Sequence, residues 1–113
     1  MEYVPLDSDQ EVEAVDDVHL AQLAAGENMS VQHFRIEPGA AVPMHSHHHE
    51  QAGFVYRGEV TFVLEDGEEV VVSEGESYVL AGEEAHAAEN HGDEPIEGVD
   101  IFSPPRTNPD WAE

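Results

Sequence analysis

Apolar and polar side chains alternate along most of this chain, in short runs broken by glycine and proline. HLAQLAA (19–25) and MSVQHFRI (29–36) flank Gly26-Glu27-Asn28, which predicts a hairpin. GFVYRG leads into EVTFVLED, then Asp66-Gly67, then EEVVVSEG, and this predicts a second hairpin turning at the Asp-Gly pair. Further strands are predicted at SYVLAG, HAAEN and PIEGVDIFS, while residues 9–18 alone leave room for a turn of helix. About eight or nine short strands at this spacing predict an all-β single domain, a sandwich or a small barrel. Residues 1–17 read as an acidic N-terminal segment, 18–106 as the domain and 107–113 as a tail, with neither a repeat nor an internal linker.

The chain has 113 residues, and its 40% apolar content suffices for one core. Its charge is one-sided: 26 Asp and Glu stand against Arg35, Arg57 and Arg106 with no lysine, a formal charge of −23. Self-repulsion on this scale opposes a compact state in dilute buffer. At molar salt the Debye length falls to roughly 3 Å and most of that repulsion is screened. The expectation is a salt-adapted, haloarchaeal-like cytoplasmic protein. Nucleic acid is an unsuitable partner, because phosphates demand a basic footprint. The absence of cysteine removes disulfides, thiolate nucleophiles and thiolate metal sites. MEYVPLDSDQEVEAVDD is acidic and lacks the apolar run of a signal peptide, and no run approaches a membrane span, so no membrane partner is expected.

Half of the eight histidines fall in HSHHHEQ, residues 45–51. Neutral imidazole is the commonest protein metal ligand. His45 and His47, two apart, would share one face of a strand, and His86 follows far enough on for a returning strand to set it opposite them. Three imidazoles with one oxygen donor suit a first-row divalent metal: Ni, Zn, Mn, Fe, Co or Cu. The fourth donor is Gln51 or Glu50. Alternation breaks in the loop through His48 and His49, so parity leaves both open, although the spacing to Gly58 favours Gln51. An amide oxygen would leave the full 2+ charge on the metal, which favours Lewis-acid chemistry over oxygen activation. His48 and His49 read as surface residues or mouth lining, and His19, His33 and His91 show no partner pattern.

These residues carry a family resemblance. Gly39-x5-His45-x-His47-x3-Gln51-x6-Gly58 and Gly75-x5-Ala81-x-Glu83-x2-His86-x3-Asn90 resemble the two motifs of the cupins. Gln51, Ala81 and Glu83 depart from the family's Glu, Pro and Gly. The resemblance implies a double-stranded β-helix jelly-roll, one metal held by the three histidines and the fourth donor, and a homodimer.

The last strand, GVDIFSPPR, should place Asp100 and Phe102 on one face and Ile101 on the other, and Pro104-Pro105 should end the ladder. Arg106 would then stand at the rim. HSHHHEQ, H-x3-N and D-x-F-S-P-P-R together resemble the pectin-degradation cupins, which convert 4,5-unsaturated monouronates to linear keto uronates. That resemblance implies His45, His47, Gln51 and His86 as metal ligands. It implies catalytic or substrate-binding roles for Asp100 and Arg106 beside Phe102, with a small anionic sugar acid as substrate. The alternatives are a non-catalytic metal- or sugar-binding module and an oxygen-dependent dioxygenase.

Overall fold

A computed structural model of the protein describes residues 1–7 and 10–106; the expected tail, 107–113, lies outside the described residues. Ten strands run in order: β1 (Val12–Val15), β2 (Val18–Ala25), β3 (Ser30–Ile36), β4 (Ala41–His45) and β5 (Glu50–Arg57). They are followed by β6 (Glu59–Leu64), β7 (Glu69–Ser73), β8 (Ser77–Leu80), β9 (His86–Glu89) and β10 (Ile96–Ser103). They form two antiparallel sheets, one ordered β1-β2-β3-β10-β5-β8 and the other β4-β9-β6-β7. The result is an all-β double-stranded jelly-roll with one core.

Both expected hairpins are present. β2 pairs with β3 around a turn closed by Gly26 N–H donating to Met29 O, and β6 pairs with β7 around Asp66-Gly67. The segment given room for a helical turn opens on one tight bond, Gln10 N–H donating to Asp7 O, and then contributes β1. It folds back on β2 with Val12 opposite Leu20 and Val15 opposite Val18, around Asp17 in the left-handed region. An available sheet edge decides the conformation of so acidic a run, where local propensity is weak. Gly58 shows why glycine stands between β5 and β6. Its φ is +82°, and a Cβ there would lie 2.7 Å from Pro95 O.

Inward side chains change character along the three central strands of the larger sheet. Ile36 on β3, Ile96 on β10 and Val55 on β5 join Val18, Val60, Phe62, Val72 and Leu80 in the apolar core. At the opposite ends of the same strands the inward residues are Ser30 and Gln32, Asp100 and Phe102, and Gln51, all of them buried. One end of the barrel is therefore a packed hydrocarbon plug and the other is polar. Buried polar groups must be satisfied or put to use, so the polar end is where a site belongs.

Candidate metal centre and active site

β4 and β9 are neighbours, and the register sets His45 directly across from His86. A bulge between Val42 and His45 turns the end of β4, as bulges do beside functional sites. Pro43, which cannot donate to a ladder, is tolerated because β4 is a sheet edge. His47 does not share a strand face with His45 as alternation suggested: β4 ends at His45 and His47 lies in the following loop. The turn after β8 braces that loop, with Glu83 N–H donating to His47 O at 2.7 Å. A Cβ on Gly82 would come within 2.6 Å of His48 O.

His45, His47 and His86 converge, each offering a ligand atom within 4.8 Å of the others. Their second ring nitrogens all meet backbone carbonyls: His45 Nδ1 at Pro43 O (2.9 Å), His47 Nδ1 at His49 O (3.1 Å) and His86 Nδ1 at Glu84 O (2.9 Å). A carbonyl only accepts, so in each neutral ring Nδ1 carries the proton and Nε2 a lone pair. Burial lowers the basicity of His47 and His86, and Arg106 adds to the effect at His47. Gln51, buried, brings its Oε1 to 3.1 Å from His47 Nε2. Two acceptors held face to face call for a cation between them. The donor set thus fits a first-row divalent ion on its own chemistry, with a backbone carbonyl behind each imidazole to fix its tautomer and orientation.

Glu50, the rival fourth donor, is exposed and pairs across the sheet with Ser103, whereas Gln51 faces the cavity. His48 is exposed. His49 does more than line a surface, since its ring lies 5.5 Å from that of His47 and 5.9 Å from that of Phe102. His33 is buried on the outer side of the sheet, where Nε2 meets the Tyr56 hydroxyl; His91 pairs with Glu89. His19 lies near Glu13 and Asp17 at the exposed β1–β2 turn.

β10 delivers the remaining candidates. Asp100 and Phe102 face inward and Ile101 outward, as alternation predicts. The ladder ends at Ser103, and Arg106 crosses the rim with its guanidinium carbon 5.2 Å from the Phe102 ring centroid. Its backbone is anchored by N–H donation to Ser30 Oγ at 2.8 Å. Burial raises the Asp100 pKa to about 6, against the opposing pull of hydrogen bonds from Tyr78 and Gln51 and of the Arg106 charge.

Tyr78 is the site residue that pattern reading passed over. It stands on β8 opposite Gly53 of β5, and Gly53 stands opposite Asp100 of β10. A Cβ on Gly53 would collide with the Tyr78 ring and the Asp100 carboxylate, so the glycine opens the gap through which Tyr78 O–H donates to Asp100 Oδ1. Burial, with Asp100 beside it, holds the Tyr78 pKa far above its ordinary value, and it stays a neutral donor. A glycine inside a strand signals a close approach; that was the available clue.

The cavity is small, about 80 Å³, and is walled by His45, Gln51, His86, Asp100 and Arg106 together with apolar side chains such as Phe34 and Phe62. It opens beside His45 and Arg106 to a groove of about 420 Å³ along Val15, Leu20, Val42 and Met44. The cavity alone lies below the usual range for small-molecule sites, so a ligand of ordinary size must occupy both.

Two sheets closed over one cavity, with three imidazoles and an amide oxygen at its polar end, define a small β-barrel protein with a candidate metal centre. Residues 32–102, more than half of the chain, match the family model described as the cupin domain, and the chain belongs to the cupin family. Its fold is similar to that of KdgF from Halomonas sp., with a TM-score of 0.84 and 22% identity over 96% of this chain and 97% of that one. It is also similar to an RmlC-like cupin from Shewanella frigidimarina, at TM-score 0.81 and 21% identity over 96% of both chains. The polyketide cyclase RemF from Streptomyces resistomycificus matches at TM-score 0.78 and 18% identity, over 99% of this chain and 90% of that one. At these identities the likeness concerns the fold. No curated protein matches the chain.

Proposed function

We propose that this cupin is a metal-dependent, non-redox enzyme that opens 4,5-unsaturated monouronates to linear keto uronates. The observation that carries the reading is that an inward acid, Asp100, and a rim arginine, Arg106, set against Phe102, line one cavity with His45 and His86, which converge with His47. A divalent ion bound by His45, His47, His86 and Gln51 would act as a Lewis acid toward a ring or hydroxyl oxygen. Arg106 offers a planar fork to the substrate carboxylate, and Phe102 holds that fork in place by stacking. The hemiacetal hydroxyl loses its proton, the bond from C1 to the ring oxygen breaks, and the enol released at C5 takes a proton at C4. The net change is an isomerisation, and Asp100 both accepts and returns a proton. A carboxyl raised to about 6 is suited to both transfers near neutrality.

A groove of hydrocarbon side chains favours a second reading, in which the substrate is an oxygenated acid with an apolar body. The same residues would bind and protonate it. Assembly as a homodimer also belongs to the proposal. The outward positions Ala52, Phe54, Tyr56, Val79, Val99 and Ile101 form a nearly acid-free strip on an otherwise acidic chain, which suits burial against a second copy.

The test is metal-loaded protein in molar KCl with unsaturated galacturonate, followed by loss of alkene absorbance. Arg106→Ala and Arg106→Lys should retain metal and fold. Loss of a bidentate contact on the order of 2 to 4 kcal/mol should raise KM roughly 30-fold or more. Wild-type protein that holds its metal and leaves the alkene untouched would remove the uronate reading and favour the apolar acid.

A further inference from the structure

Gln51 sits between two groups that make opposite demands on its amide. Toward the histidines it presents Oε1, 3.1 Å from His47 Nε2, whose lone pair is fixed by Nδ1–H donation to His49 O. Oxygen against nitrogen lone pair is an unfavourable contact unless a cation lies between them. Turning the amide over would place N–H against the imidazole and replace the conflict with an ordinary hydrogen bond. What prevents the turn lies on the other side. Gln51, Tyr78 and Asp100 line the same cavity, where the Gln51 amide acts on the Asp100 carboxylate and the Tyr78 phenol to lower the pKa of each, and Tyr78 O–H donates to Asp100 Oδ1. Turned over, the amide oxygen would face a buried carboxylate instead. Tyr78 in turn is held by packing on Phe62, ring centroids 4.6 Å apart, and by the gap at Gly53.

We propose that Asp100, secured by Tyr78 across Gly53, is a positioning residue for the metal centre. It locks the Gln51 amide with its oxygen toward the three imidazoles. Glutamine at 51 and aspartate at 100 are then a matched pair: the amide supplies the donor that the carboxylate requires, and the carboxylate fixes which end of the amide faces the metal. A glutamate at 51 would need no such lock, since either oxygen can ligate, and it would face Asp100 with a like charge and no donor.

The inference rests on the metal-centre part of the proposed function and is independent of the substrate. The probe is Co²⁺, with affinity measured by chelator competition on the full chain in molar KCl and the visible Co²⁺ band recording ligand geometry. Asp100→Asn should weaken Co²⁺ binding roughly 10- to 100-fold, the usual effect of losing an outer-shell partner. Tyr78→Phe, which preserves the packing on Phe62, should weaken it in the same direction. In a Gln51→Glu background the sign should reverse. There Asp100→Asn removes the like charge and provides an amide donor, so Gln51→Glu/Asp100→Asn should bind at least as tightly as Gln51→Glu alone. Equal weakening by Asp100→Asn in both backgrounds would mean that only its charge matters and would overturn the proposal. So would unchanged affinity in the Gln51 background. Wild-type protein without affinity for Co²⁺ would overturn the metal-centre reading and this inference with it.

Discussion

Asp100 should set a measurable pH dependence on folding in the metal-free protein. Its carboxyl is buried and its pKa is raised from the ordinary 3.8 to about 6, chiefly by loss of hydration. Between those values the folded state holds a proton that the unfolded state has released. Stability therefore falls as pH rises through this window, the reverse of the usual behaviour of a paired carboxylate. A shift of about two pKa units corresponds to on the order of 3 kcal/mol. Near the sequence pI of 4.2 the protein will be poorly soluble. Above pH 5 about half of the effect, on the order of 1.5 kcal/mol, remains to be read. The assay is urea unfolding of wild type and Asp100→Asn in molar KCl with chelator, from pH 5 to 8. Taking the difference between the two cancels the other 25 acids, which outnumber Asp100 but are common to both chains. Asp100→Asn should gain on wild type as pH rises and level off above the folded pKa. A difference flat in pH would show that Asp100 is not desolvated. A slope of opposite sign would show that Arg106 holds it below its ordinary range.

Removing the His45 or His47 imidazole by substitution to Ala should lose most of the bound metal, whereas His48→Ala, at an exposed position, should keep about one ion per chain by elemental analysis. The melting temperature should rise steeply from dilute buffer to molar KCl, because a charge of −23 must be screened; a flat profile would remove the salt-adaptation argument. Glu83→Gly should raise the melting temperature by a few degrees. Glu83 holds φ +69° where the family motif has glycine, and relief of a left-handed residue, about 1–2 kcal/mol, exceeds the added freedom of glycine, about 0.5–1 kcal/mol.

Strand positions and the inward face of the last strand were legible because period-2 alternation survives in β5 and β10, where one face is buried. β1 was not, since an acidic run gains strand structure only from the edge it meets. For the candidate metal centre, residue spacing singled out His45, His47 and His86, which the fold brings together, but gave the wrong reason for His47. A loop braced by Gly82 and Glu83 brings it in, and alternation plays no part. The choice between Glu50 and Gln51 turned on the resumption of pairing after that loop, which is a tertiary fact. Tyr78 was hidden because its partner lies two strands away, reached only through a glycine.

The distribution of charge separates adaptation to solvent from chemistry. Among the described residues Asp100 is the one acid in the buried set, although acids make up 26 of 113 positions. The other described acids lie outside the buried set, where salt reaches them. Two of the three arginines are held outside as well: Arg57 lies 3.0 Å and Arg35 3.7 Å from the Glu97 carboxylate on the outer face of β10, and Arg35 also bonds Glu37. Neither lines the cavity. Arg106 does, with its charge spread over the Phe102 ring and close enough to influence His47 and Asp100. Within a small cavity with apolar walls a charge is screened far less than on the surface. One cation at the rim, joined by the divalent ion of the proposed metal centre, would then set the potential that the proposed anionic substrate meets there, while the acidic exterior answers to salt.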